Sequence, residues 1–268
     1  MAARPMIHFA TVHHVDDRWV DVQLRHLSRN LSGPYAVYTC LNGPRVTRHA
    51  DRFHFAHRRK GWRDHGEKLN FLAEQVTTEA AAADVIVFLD GDAFPVAPIE
   101  DALEEMLAEA PLVAIRRDEN EDAYPHPSFC ATRVGFWNEL GGDWRDDRAS
   151  GGMDVGGRVA LRLTELGVDW KPLLRANARD LHPVLFGVYG EPRHGPLVYH
   201  HGAGFRGSHP VTRADLRWAW SNGMPRDREG PLREHPVLAK RILENAELVE
   251  FVYGRITAND DFAAELFL

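Results

Sequence analysis

Five consecutive apolar residues, Val85-Ile-Val-Phe-Leu89, stand between Asp84 and Asp90. A half-exposed strand alternates apolar with polar residues, and a surface helix leaves a polar stripe, so neither accepts such a run. Its β-branched content and short length fit a strand covered on both faces, the kind found inside parallel sheets flanked by helices. The chain must therefore supply layers on either side of that strand.

The flanking sequence does so. Met6–His13 and Tyr35–Leu41 read as buried strands, and Trp19–Leu31 between them has apolar residues at helical spacing before Ser32-Gly33-Pro34 stops it. Glu67–Thr77 reads as a helix with Leu69, Leu72, Ala73 and Val76 on one face. Helix 99–110, strands 112–115 and 128–133, helix 155–166 and strand 197–201 follow, and the tail after Pro231 reads as helical. Alternating strands and helices predict an α/β fold: a single Rossmann-like domain with a mostly parallel central sheet flanked by helices. The Pro/Gly/Arg-rich stretch 222–233 suggests a boundary, giving a sheet domain over residues 1–225 and a helical C-terminal extension over 226–268 packed on it.

Charge narrows the partners. Lys and Arg total 32 against 39 acidic residues, a net of −7, which argues against a nucleic-acid or anionic-membrane surface. No apolar run approaches the roughly 18 residues of a membrane span, and no signal-peptide pattern opens the chain, so a cytoplasmic protein is expected. Two cysteines, Cys40 and Cys130, make neither a disulfide framework nor a zinc pattern.

Asp90-Gly91-Asp92 follows the apolar strand directly. Ligands of open α/β sheets bind beyond the carboxyl ends of strands, so these carboxylates are expected to face a crevice. Paired aspartates need a cation to tolerate each other, and hard oxygen ligands favour Mg²⁺ or Mn²⁺. Glycine between them is expected to let the chain turn tightly. His200 and His201 end a later apolar strand before a Gly-rich turn, and neighbours on a strand point to opposite faces, so one of the two is expected to reach the ion. Arg206, just downstream, has the fork geometry to clamp a diphosphate.

In order along the chain, these features resemble the GT-A class of nucleotide-sugar glycosyltransferases. The match runs from Phe9-Ala-Thr-Val-His13 through Lys68 in GEKLNFL and Asp90-Gly-Asp92 to Phe129–Trp137, Asp154 in GGMDVGGRVALRL, and His200-His201-Gly-Ala-Gly204. The resemblance implies transfer of a sugar from a nucleotide-diphosphate donor of UDP or GDP type to a hydroxyl acceptor, with a divalent metal as cofactor. It implies Asp92 as direct metal ligand and Asp90 as contact to the ribose or, through water, to the ion. It favours His201 as the histidine ligand, because Gly204 completes an H-x-x-G spacing, with His200 as the alternative. Thr11 and His13 then stand where base and ribose are held; Lys68 is read as reaching phosphate or as a solvated helix lysine, and Phe129, Phe136 and Trp137 as an apolar wall stacking on a sugar or as core packing. Asp154 is implied on the acceptor side, as base in an inverting enzyme or as donor-orienting carboxylate in a retaining one. Met153-Asp154 departs from the acidic pair usual in inverting enzymes, so the stereochemistry stays open.

Two rivals remain at this level. A haloacid-dehalogenase-like phosphatase also places D-x-D after a hydrophobic strand, and Gly142-Asp143-Trp-Arg-Asp-Asp147 matches its late motif, but no lysine lies between Asp92 and Asp147. A non-catalytic nucleotide-sugar-binding protein is the other. The Glu119–Asp122 run reads as an exposed acidic loop, and Cys130 as a small buried hydrophobe.

Overall fold

The computed structural model describes residues 4–14, 17–43, 46–58, 64–146, 155–182, 184–202 and 236–267, with backbone only at 46–47 and 236–246. Strands are β1 (Ile7–His14), β2 (Tyr35–Asn42), β3 (Phe55–His57), β4 (Val85–Asp90), β5 (Ala93–Pro95), β6 (Leu112–Arg117), β7 (Asp122–Arg133), β8 (Lys171–Arg175), β9 (Gly187–Glu191) and β10 (Gly195–His200). Helices are α1 (Arg18–Asn30), α2 (His65–Glu79), α3 (Glu100–Glu109), α4 (Val134–Leu140), α5 (Gly157–Leu166), α6 (Pro236–Ala258) and α7 (Phe262–Glu265).

The strands form one sheet in the order β3-β2-β1-β4-β7-β6-β8-β9-β10-β5. The expected α/β fold is present, and its parallel core is the run β3-β2-β1-β4. From β4 outward the sheet turns antiparallel, with β6 and β8 as a parallel pair within it.

β4 behaves as its five apolar residues require. Val85, Val87 and Leu89 join the core that includes Val20 and Leu27 of α1 and Leu103 and Met106 of α3. Ile86 and Phe88 face the other way, into the core of Leu69, Leu72 and Val76 of α2 with Trp137 of α4 and Trp144. Each buried side chain of this size contributes roughly 1.5–3 kcal/mol, so the strand is anchored on both faces.

The chain divides into two compact units, Met1–Gly202 with Ala263–Leu268, and Ala203–Phe262. In the first, the returning C-terminus is tied in by the amide of Ala178, which donates to Leu266 O at 3.0 Å. In the second, α6 buries Val249, Val252 and Ile256 along one side, and Arg255 lies 5.1 Å over the Phe262 ring. Residue 225, where the sequence placed a boundary, falls in the stretch 203–235, outside the described residues. Among the described residues no helix is long and apolar enough to cross a membrane.

Candidate metal centre

Asp90 is the last residue of β4, and the turn through Gly91 and Asp92 leads straight into β5. β5 pairs antiparallel with β10 in a register that sets Ala93 opposite His200, and the amide of His201 donates to Asp92 O at 3.1 Å. One ligand atom from each of Asp90, Asp92 and His200 lies within 4.8 Å of the others, the one such group found among the described residues. His200 Nε2 is 3.5 Å from Asp90 Oδ2 and 3.6 Å from Asp92 Oδ1.

These residues fit a divalent cation. Ligands around a six-coordinate ion at about 2.1 Å sit about 3–4.2 Å apart, close to the spacing observed. Asp90 Oδ1 is buried without an aligned hydrogen-bond donor, although His65 Nε2 approaches it to 2.9 Å. Burial pushes the Asp90 carboxyl up, but the imidazoles of His65, His200 and His126 around it outweigh that and hold it well below the usual carboxylate range. The oxygen ligand is thus ionised across the working pH range. Two carboxylates and one imidazole form a hard, mixed O/N set, as Mn²⁺ accepts and Mg²⁺ tolerates.

Gly91 is required for space rather than for an unusual backbone angle. Its φ lies outside the left-handed region, but an added Cβ would sit 2.6 Å from Val12 O and 2.8 Å from His13 Nδ1. The turn carrying the aspartates is pressed onto the end of β1, and only glycine permits that approach.

His201, favoured from its spacing to Gly204, contributes no ring nitrogen to the ligand group. Its Nδ1 is 2.8 Å from the Tyr199 hydroxyl, and its ring sits 4.6 Å from Trp19 and 4.8 Å from Phe186. It is fully buried, and burial drives its pKa well below the usual value, so it is a neutral core residue. His200 is the strand residue whose parity brings it to the aspartates.

Thr11 and His13, read by resemblance as base and ribose contacts, are both buried against one side chain of α1. Thr11 Oγ1 donates to Gln23 Oε1 at 3.2 Å, and His13 Nε2 lies 3.1 Å from the same oxygen. Burial lowers the His13 pKa to about 4, against the opposing hydrogen bond to Gln23. Lys68 is buried rather than solvated on α2, and burial lowers its pKa. Phe129 and Trp137 are core residues, Trp137 packing 4.6 Å from Phe88, and Phe136 leans on the same core. Asp154, Arg206 and Gly204 lie outside the described residues. Glu119 is not exposed as the acidic run suggested: its carboxylate accepts from the Tyr189 hydroxyl at 2.5 Å and lies 3.6 Å from Arg175 Nη1.

Three neighbours of the site were not anticipated. His65 opens α2, which starts two residues earlier than the apolar pattern implies. The readable signal was Asp64-His-Gly-Glu67, an N-cap in which Asp64 Oδ1 accepts the Glu67 amide at 2.8 Å. His126 sits 6.1 Å ring to ring from His200, and its Nδ1 accepts the Ser128 amide at 3.1 Å. Gln23 is the third.

No family model matches the chain, and no curated protein does. The chain is similar to solved glycosyltransferases. One is the mannosyltransferase PcManGT from Pyrobaculum calidifontis in complex with GDP-Man and Mn²⁺, at 14% identity and TM-score 0.48 over 98% of this chain and 78% of that one. Another is S. aureus TarS in complex with UDP-GlcNAc, at 11% identity and TM-score 0.41 over 59% of this chain and 54% of that one. A third is the apo-form glycosyltransferase GlyE of Streptococcus pneumoniae TIGR4, at 13% identity and TM-score 0.40 over 64% and 45%.

Proposed function

We propose that the protein is a divalent-metal-dependent glycosyltransferase moving a sugar from a UDP- or GDP-type donor to a hydroxyl acceptor. The observation that carries this reading is the convergence of Asp90, Asp92 and His200 at the carboxyl end of a buried parallel strand, where open α/β sheets bind their ligands. The ordered motifs of the sequence support it.

A bound Mn²⁺ or Mg²⁺ would supply charge stabilisation for the departing nucleoside diphosphate. The chain's own residues hold and orient. Asp90 and Asp92 offer ionised oxygens, His200 offers an imidazole nitrogen, and the imidazole favours Mn²⁺ of the two ions. In the transfer, the bond from the sugar's anomeric carbon to diphosphate oxygen breaks, a bond to the acceptor oxygen forms, and the acceptor hydroxyl loses its proton. Asp154 is proposed for the acceptor side of that exchange and Arg206 for the diphosphate.

The phosphatase reading needs Asp143 beside the first aspartates. Asp143 instead accepts from Asn70 Nδ2 at 2.7 Å, Arg145 Nη2 at 2.7 Å and Arg158 Nη1 at 2.9 Å, a structural knot. The test is a panel of UDP- and GDP-sugars incubated with the protein and Mn²⁺, followed by release of nucleoside diphosphate. Release that stops with EDTA and in Asp92→Asn supports the reading. Release of inorganic phosphate instead, or turnover indifferent to both changes, overturns it. A binding protein without turnover would hold the donor intact.

A further inference from the structure

The buried face of α1 carries three polar residues among its apolar ones: Gln23, His26 and Asn30, spaced three and four apart on one side. Polar groups on a buried helix face are costly unless satisfied, so their partners identify what the face is for. Each of the three reaches one short segment, Gln23 and Asn30 by hydrogen bonds and His26 by a ring contact. Gln23 Nε2 donates to Asp90 O and to Ala93 O, both at 2.8 Å. The His26 ring lies 4.1 Å from that of Phe94, and Asn30 Nδ2 donates to Pro95 O at 2.9 Å. Gln23 and Asn30 thus hold the backbone of this segment at Asp90, Ala93 and Pro95, with the His26 ring against Phe94 between them.

Gln23 has no freedom in this arrangement. Two carbonyls can only accept, so its amino group must face them, and its oxygen must accept from Thr11 and from a proton on His13 Nε2. Two donors and two acceptors fill the amide's capacity, and the residue is fully buried. The two carbonyls are also particular ones. Asp90 belongs to the ligand group, and Ala93 is the cross-strand partner of His200. Asp92 lies between them. One side chain therefore spans the turn that bears both carboxylates and fixes the strand that aligns the histidine.

We propose that Gln23 is the positioning residue of the metal centre, acting from α1 through the backbone at Asp90 and Ala93 to set the spacing of Asp90, Asp92 and His200. The inference rests on the metal reading above. Metal sites need ligands held within fractions of an ångström, and partners behind the ligands typically change affinity 10–100-fold.

The test is a Mn²⁺ titration of the purified protein, followed by electron paramagnetic resonance of free Mn²⁺, with thermal unfolding measured in parallel. Gln23→Met keeps the volume and removes all four hydrogen bonds; it should weaken Mn²⁺ binding about tenfold or more. Asn30→Leu removes a bond from the same stripe but further from the ligands. It should lower Tm while leaving the Mn²⁺ Kd within about twofold, because a merely structural role would move Tm in both variants and the Kd in neither. Should Gln23→Met not fold, Thr11→Val removes one donor to Gln23 and should weaken Mn²⁺ by about threefold. Unchanged Kd in the folded Gln23→Met protein, or in Thr11→Val where Gln23→Met does not fold, overturns the inference alone. Absence of Mn²⁺ binding by the wild-type protein overturns the metal reading and this inference with it.

Discussion

Strands β4 and β8 of the one sheet are built on different physics. In the parallel half, β4 is buried on both faces, so adjacent residues such as Val87 and Phe88 serve two separate cores. Further along, past β7 and β6, which are buried on both faces like β4, β8 buries Leu173 and exposes Leu174, and ion pairs such as Lys171 with Glu109 at 2.9 Å line its outside. The candidate metal centre lies on neither half alone. Asp90 ends the parallel half, His200 ends a strand of the antiparallel half, and the β5 turn joins them. A ligand site at such a junction depends on the relative placement of both halves, which explains the polar bracing from α1.

The contrast can be broken by paired substitutions. Phe88→Ala, losing contacts with Trp137 and Trp144, should cost about 3–5 kcal/mol by urea unfolding, and Val87→Ala should also be strongly destabilising. In β8 the same test should split: Leu173→Ala costs about 2–5 kcal/mol, whereas Leu174→Ala stays within about 0.5. Equal costs at both β8 positions would remove the distinction.

A smaller effect concerns acid. His13 is buried neutral with its pKa lowered to about 4 from 6.5, so below pH 6.5 the unfolded chain binds a proton that the folded one refuses. The stability it allows is complete above pH 6.5 and declines as pH falls toward 4. Between pH 6.5 and 5 this amounts to about 2 kcal/mol, and His13→Gln should flatten that part of the urea-unfolding profile. Burial lowers the pKa of His201 and His126 in the same direction, adding to the slope. A profile unchanged by His13→Gln would contradict the buried-neutral assignment.

The smallest effect is expected at the exposed ion pairs of the antiparallel half. Lys171→Met should shift Tm less than any core variant, and the shift should fade in 1 M NaCl, since exposed pairs are weak and screened.

The longer apolar strands, β1, β2, β4, β6, β7 and β10, were legible because they are written locally. The apolar run of β4, the stripes of α1 and α2 and the Ser-Gly-Pro stop are short-range patterns. β3, β5, β8 and β9 were not seen. Three-residue strands, or strands carrying Pro172, Gly187 and Gly190, exist only through partners distant in sequence. The site divides the same way. Asp90 and Asp92 follow from what precedes them, whereas the choice of His200 over His201 depends on the β10–β5 register, which no local pattern encodes. Gly91 was visible, but its reason, contact with β1, was not. Gln23 left a trace, polar residues on an apolar helix face, that a count of helical periodicity passes over.

If Asp90, Asp92 and His200 form a cation site, as proposed, that cation recruits the nucleoside diphosphate. Calorimetric titration of UDP and GDP into the protein tests it most directly, with Mn²⁺, without metal, and with Asp92→Asn. One of the two nucleotides is expected to bind only with Mn²⁺ present, and Asp92→Asn is expected to abolish that binding. Nucleotide affinity that is the same without metal, or the same in Asp92→Asn, would contradict it.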